Sequence, residues 1–184
     1  VEQARLLGRA MQGDREALDA LLRVKNQRLV AFAFRILGNM EDAKDAVQES
    51  LLRAWQEFFT FSLPAAAETE AGRIHRFDAW LLKITYRQSV DAYRRRKRHP
   101  LAVVRDFSAL PDPRSGEPDS LLELEKFFQM ASMALTERQR AAFLLCVIEG
   151  MSSEEAARLL DTEASTVRNL LMQARQTLRR LASH

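Results

Sequence analysis

Only one cysteine, Cys146, occurs in the 184 residues, so no disulfide can close within the chain. Its place in the apolar run 141–148 marks it as a small buried hydrophobe. Long hydrophobic stretches are missing as well. No segment approaches the roughly 18 consecutive apolar residues that cross a bilayer, and the opening VEQARLLGRA has no apolar centre of the signal-peptide kind. No membrane insertion and a cytoplasmic location are expected. The three histidines, His75, His99 and His184, are scattered, and the six glycines form no phosphate-cradling loop. With no clustered ligands for a metal, the sequence assigns no catalytic residue, no metal site and no cofactor.

What is present is an ordinary soluble balance, 47% hydrophobic and 29% charged, with a net charge of +3. The distribution of charge says more than its sum. The basic excess lies within residues 1–100, residues 101–120 are net acidic, and residues 121–184 are balanced. Most of the excess is concentrated in the run RRRKRH at 94–99, a density of cations that repels itself unless a polyanion compensates it. Nucleic acid is the leading partner.

Apolar residues recur at spacings of three and four and no long alternating run occurs, so the expected fold class is all-α. Asp14 can cap a helix from Arg15 to Leu22, with Leu18, Leu21 and Leu22 on its inner face. A second helix is expected from about Asn26 to Leu37, stopping at Gly38-Asn39, and a third begins near Glu41. In the third, Val47, Leu51, Trp55 and Phe58 or Phe59 form a core stripe, and Asp42, Asp45, Gln48, Glu49 and Leu52 form a second, mostly acidic and polar one. Residues 62–72 read as a loop. A fourth helix, Phe77 to about Arg98, turns Trp80, Leu81, Ile84 and Val90 inward and ends in the basic run.

Prolines at 111, 113 and 118 with Gly116 make residues 101–120 a linker between a first domain, 1–100, and a second, 121–184. Helices are expected in the second at about 121–134, 137–149, 153–160 and 164–182. The last two are joined by LDTEAS, the length of a helix-turn-helix connection. On the final helix Val167, Leu171, Ala174, Leu178 and Leu181 share one face, which leaves Ser165, Arg168, Asn169, Met172, Gln173 and Arg175 toward solvent. No acidic side chain occurs from residue 164 onward, as suits a helix that meets base edges and phosphates.

Taken together, GDREALDALL, LGNMEDAKDAVQESLLRAW, FDAWLLKITYRQSVDAYRRRKR and the stretch from LTERQRAAFLL to the carboxyl-terminal RQTLRRL resemble the extracytoplasmic-function sigma factors of the sigma-70 family over nearly the full chain. The resemblance implies a promoter-specificity subunit of RNA polymerase, with core RNA polymerase, promoter DNA and an anti-sigma factor as partners. It implies that Asp42, Asp45, Gln48, Glu49 and Leu52 contact the polymerase, and that Ser165, Thr166, Arg168, Asn169 and Gln173 face the minus-thirty-five duplex. It also implies that the helix carrying Arg76, Lys83, Tyr86, Arg87, Arg94, Arg95, Arg96, Lys97 and Arg98 faces the minus-ten strand. Aromatics such as Phe77 or Tyr86 beside cations suit a melted strand.

The chain departs from the family pattern at four places. The connection between Phe61 and Phe77 is long, Arg87 stands where asparagine is usual, and Leu170 and Gln173 stand where basic residues are common. Asp161 and Thr162 replace the usual glycine and aliphatic residue of the turn, a position where aspartate tolerates the left-handed backbone. The apolar pair Leu170 and Met172 leaves a second reading open, a sigma-like decoy for an anti-sigma factor with weakened DNA binding.

Overall fold

A computed structural model describes residues 2–61, 69–98 and 133–182. All regular structure among the described residues is helical, as the sequence pattern requires. The chain divides into two compact units, one formed by Val1–Phe34 with Met40–Asp91 and the other by Arg35–Asn39 with Ala92–His184. The linker expected at 101–120 and the helix expected at about 121–134, apart from its last two residues, lie outside the described residues.

In the first unit, α1 (Glu2–Met11) inserts Leu6, Leu7 and Ala10 into the core, a helix that the sequence reading did not identify. Asp14 then starts α2 (Arg15–Leu37) by accepting a hydrogen bond from the Ala17 amide at 3.0 Å. The two helices expected at Arg15–Leu22 and Asn26–Leu37 are one continuous helix of 23 residues. Lys25, between the two expected segments, faces inward, where its Nζ lies 2.6 Å from Asp78 and 2.7 Å from the Gln3 side-chain oxygen. A buried cation is retained because a carboxylate and an amide satisfy it.

Gly38, with φ of 65°, ends α2 in the left-handed conformation, and α3 (Met40–Glu57) follows. A 3-10 turn, Phe58–Thr60, leads to Phe61. After the undescribed residues 62–68, α4 (Glu70–Arg98) begins seven residues earlier than expected. Its start falls within the segment read as loop, because Thr69 caps the new turn by accepting from the Gly72 amide at 3.1 Å. Phe58 and Phe77 are buried, and Phe61 stacks on Trp80 with ring centroids 4.5 Å apart. This aromatic cluster joins the end of α3 to the first third of α4.

The second unit is built around α7 (Ala164–Ala182), on which α5 (Glu137–Phe143) and α6 (Ser153–Leu159) both pack. Each of the two short helices starts in a capping box. Thr136 and Gln139 exchange side-chain to backbone hydrogen bonds at the head of α5, as do Ser152 and Glu155 at the head of α6. Helix α5 runs into a π-helical turn, Leu144–Ile148, whose Glu149 amide reaches back to the Leu144 carbonyl at 2.9 Å. The turn from α6 to α7 places Asp161 at φ 51°, while the Thr162 amide bonds the Ala157 carbonyl at 3.0 Å. That six-to-one bond closes a Schellman motif with aspartate in the position glycine usually fills.

Candidate functional site

Helix periodicity puts Asp45, Gln48, Glu49 and Leu52 on one face of α3, at positions i, i+3, i+4 and i+7. All four are exposed, Leu52 at 55%, and Asp42 one turn earlier is half-buried. The core on the opposite side consists of Ala43, Ala46, Val47, Ser50 and Ala54. These side chains are small, and the acidic face lies on the other side of the helix. Trp55, expected in the core stripe, is 38% exposed and lies on the continuation of the acidic face, three residues beyond Leu52. Of the pair Phe58 and Phe59, Phe58 is buried and Phe59 is exposed.

The Arg15 guanidinium sits 5.5 Å from the Trp55 ring centre, and a shallow groove between α2 and α3 is lined by Leu22, Leu51, Leu52 and Trp55 with Asn26 and the Asp19–Arg23 ion pair. The exposed apolar pair Leu52 and Trp55 thus continues the Asp45–Glu49 face of α3 on one side and meets Arg15 on the other. The sequence offered one signal for Trp55, its helical spacing from Leu52. Size and hydrophobicity pointed the other way.

On α4, Arg76, Lys83 and Arg87 recur at seven and four residues and so share one stripe. Arg76 and Arg87 are exposed, whereas Lys83 and Tyr86 are half-buried. Phe77 is fully buried and cannot offer its ring to a nucleotide. Arg94, Arg95 and Arg96 are exposed on the last turns, and Arg94 pairs with Glu137 at 2.9 Å within the second unit. Lys97 and Arg98 belong to the final turn of α4, and their side chains lie outside the described residues.

On α7, Val167 and Ala174 are buried, and Ser165, Arg168, Asn169, Met172, Gln173 and Arg175 are all exposed. Thr166 and Leu170 are half-buried. The Leu181 side chain lies outside the described residues. Arg168 pairs with Glu154 of α6 at 3.2 Å, Gln173 accepts a hydrogen bond from Gln139 of α5 at 3.0 Å, and the Ser165 hydroxyl bonds Glu163 at 3.2 Å. The outer face of α7 is thus polar apart from the exposed Met172, and two of its side chains are held from the preceding helices.

No group of three or more metal-ligating side chains occurs among the described residues. No described helix is long and apolar enough to cross a membrane. Cys146 is half-buried, and that burial pushes its thiol up from the ordinary value, which leaves it protonated at neutral pH.

Residues 22–99 match the family described as Sigma-70 region 2, and residues 128–178 match Sigma-70, region 4. The chain is 33% identical to the ECF RNA polymerase sigma factor SigE of Mycolicibacterium smegmatis, with 94% of this chain and 65% of that protein covered. It is 30% identical to the ECF RNA polymerase sigma factor SigM of Mycobacterium tuberculosis, with 98% and 85% covered. In fold it is similar to CnrH, solved with the cytosolic domain of CnrY, at a TM-score of 0.69 and 22% identity over 100% of this chain and 98% of that one. It is also similar to the sigma factor RpoE of Bartonella quintana, solved with the anti-sigma factor NepR, at a TM-score of 0.66 and 24% identity over 90% and 96%. Helical units, an acidic face on α3, a basic α4, a helix-turn-helix and these matches over nearly the whole sequence agree: the chain belongs to the extracytoplasmic-function sigma factors of RNA polymerase.

Proposed function

We propose that this sigma factor directs core RNA polymerase to promoters through three surfaces in chain order. The α3 face of Asp42, Asp45, Gln48, Glu49 and Leu52, extended by Trp55, holds the polymerase. Arg76, Lys83, Tyr86, Arg87 and the basic run from Arg94 to Arg98 follow the minus-ten strand. Ser165, Thr166, Arg168, Asn169 and Gln173 read the minus-thirty-five duplex. Residues 1–100 and 121–184 act as the two working domains, with 101–120 as the link. The activity is cytoplasmic and needs no catalytic residue, metal or cofactor of the chain's own. An anti-sigma factor is carried over as a further partner from the solved relatives.

The observation that carries this reading is the exposed face Asp45, Gln48, Glu49 and Leu52, displayed on a helix whose other side is tightly packed. Carboxylates and an exposed leucine together suit a protein partner with a basic, partly apolar surface. The test is transcription by core polymerase from a library of promoters, run with the natural chain and with Asp45→Lys combined with Glu49→Lys. The natural chain should yield promoter-specific transcripts. The charge-reversed chain should yield few, and should be lost from a core-polymerase pull-down while keeping its helix content. No transcripts from the natural chain, with an anti-sigma factor still bound, would favour the decoy reading drawn from exposed Met172 and half-buried Leu170.

A further inference from the structure

The side chain of Gln139 has two jobs. Its Oε1 accepts from the Thr136 backbone amide at 3.0 Å, closing the capping box of α5, and its Nε2 donates to Gln173 Oε1 on α7 at 3.0 Å. A carboxamide has one acceptor end and one donor end. The capping box claims the acceptor end, because the Thr136 amide can only donate. The donor end must then point at α7, and Gln173 can meet it only with oxygen. The Nε2 of Gln173 is left as the outward end of that side chain.

We infer that Gln139 is a positioning residue that sets the base preference of Gln173: it fixes the Gln173 amide with its donor outward, toward guanine on the contacted strand. The inference rests on the reading of Gln173 as a contact to the minus-thirty-five duplex. A glutamine free to use both ends pairs with adenine, accepting from N6 and donating to N7. With Oε1 turned toward Gln139 on α5, Nε2 becomes the end that meets the base, so the two-ended adenine pairing loses its advantage and an edge made only of acceptors, guanine N7 and O6, is the better match. Cytosine, which offers an amino donor in the groove, is the poorest. A helix cap thus reaches a base pair through two amides.

The consequence can be reversed with one atom. In Gln139→Glu the carboxylate still accepts from the Thr136 amide, so the capping box survives, but the group facing α7 becomes an acceptor. Gln173 then turns its Nε2 inward and its Oε1 outward, toward the cytosine amino group. The experiment reconstitutes the full chain with core polymerase and measures transcript yield from promoters randomised across the minus-thirty-five element, with circular dichroism on each variant.

Gln173→Ala should erase preference at one base pair. If it leaves every position unchanged, Gln173 does not read DNA and the reading of α7 fails at that residue. Where Gln173→Ala does erase it, Gln139→Glu should move the preference at that position from guanine to cytosine by roughly tenfold. A uniform loss from the added charge would not alter this ratio. Guanine preference retained in Gln139→Glu would overturn the positioning role while sparing the reading. If Gln139→Glu does not fold, Gln139→Met supplies the decision: without a donor toward α7, adenine should be accepted as readily as guanine, and an unchanged guanine preference would overturn the inference.

Discussion

Lys25 and Asp78 form an ion pair of 2.6 Å in which the lysine side chain is 7% exposed and the aspartate 15%. Asp78 also receives Arg28 at 3.0 Å, so one carboxylate ties two cations of α2 to α4. Removing one member strands a charge in a place water barely reaches. Asp78→Ala should lower the unfolding free energy of the chain by on the order of 3 kcal/mol, and Lys25→Met combined with Asp78→Leu should recover most of that loss. Urea unfolding of the three chains is the check, and a single change costing less than the double would contradict the pairing.

Asp14 gives the first unit an acid-sensitive joint. The Ala17 amide, above all, and the Arg9 side chain hold its carboxyl below the ordinary carboxylate range. The stabilisation this confers is fully present above the unfolded-state pKa, about 3.9, and is lost as pH falls through the lower folded value. Asparagine caps a helix without titrating. Asp14→Asn should therefore reduce the stability difference between pH 6 and pH 2.5, measured by thermal unfolding, and an unchanged difference would count against the cap.

Asp161 occupies the left-handed turn at some conformational cost, since φ of 51° crowds any side chain with a Cβ. Asp161→Gly should raise the stability of the second unit by roughly 0.5–1 kcal/mol and leave promoter preference alone. Loss of stability would mean that the aspartate side chain contributes more than its backbone costs.

Glu154 and Arg168 are both more than half exposed, so their 3.2 Å pair adds little to folding. Its effect should be seen in DNA binding. Glu154→Gln releases the Arg168 guanidinium to a phosphate, so affinity should rise for all sequences alike and the dependence on salt should steepen by about 0.9 in the logarithmic slope. A change confined to one base pair would place Arg168 on a base edge instead.

Much of this organisation was legible in the sequence, and the exceptions have physical causes. The acidic face of α3 and the outer face of α7 follow from helical spacing, because on both helices the residues opposite are small or apolar without interruption. The continuity of α2 did not follow. Lys25 interrupts the apolar pattern, and the carboxylate that makes its burial tolerable lies 53 positions further along the chain, in Asp78. Helix α1 is amphipathic, with Leu6, Leu7 and Ala10 together on one face, and that spacing was a legible helix signal at the start of the chain.

Trp55 departs from the expected core stripe because of what surrounds it. Bulk and hydrophobicity assign tryptophan to a core, but exposure is decided by the neighbours available to cover it, and here Arg15 is the side chain over its ring. The Gln139 to Gln173 bond was not legible at all. Each glutamine alone is an ordinary polar residue, and only the packing of α5 on α7 brings them together.

The π turn at Leu144–Ile148 changes the phase of the helix that contains it. Each α-helical residue advances by about 100°, so the wider turn sets the residues at its own end, where the helix stops, back from the positions that α-helical spacing would give them. Ala141, Ala142, Leu144 and Leu145 are buried, whereas Val147 and Ile148 are 42% and 40% exposed. An apolar run that would be swallowed whole by a buried strand is here divided between two directions, one facing the packed interior and one facing water. The wide turn works as a rotary offset: it lets one short segment serve the interior of the unit and also shape its outer surface.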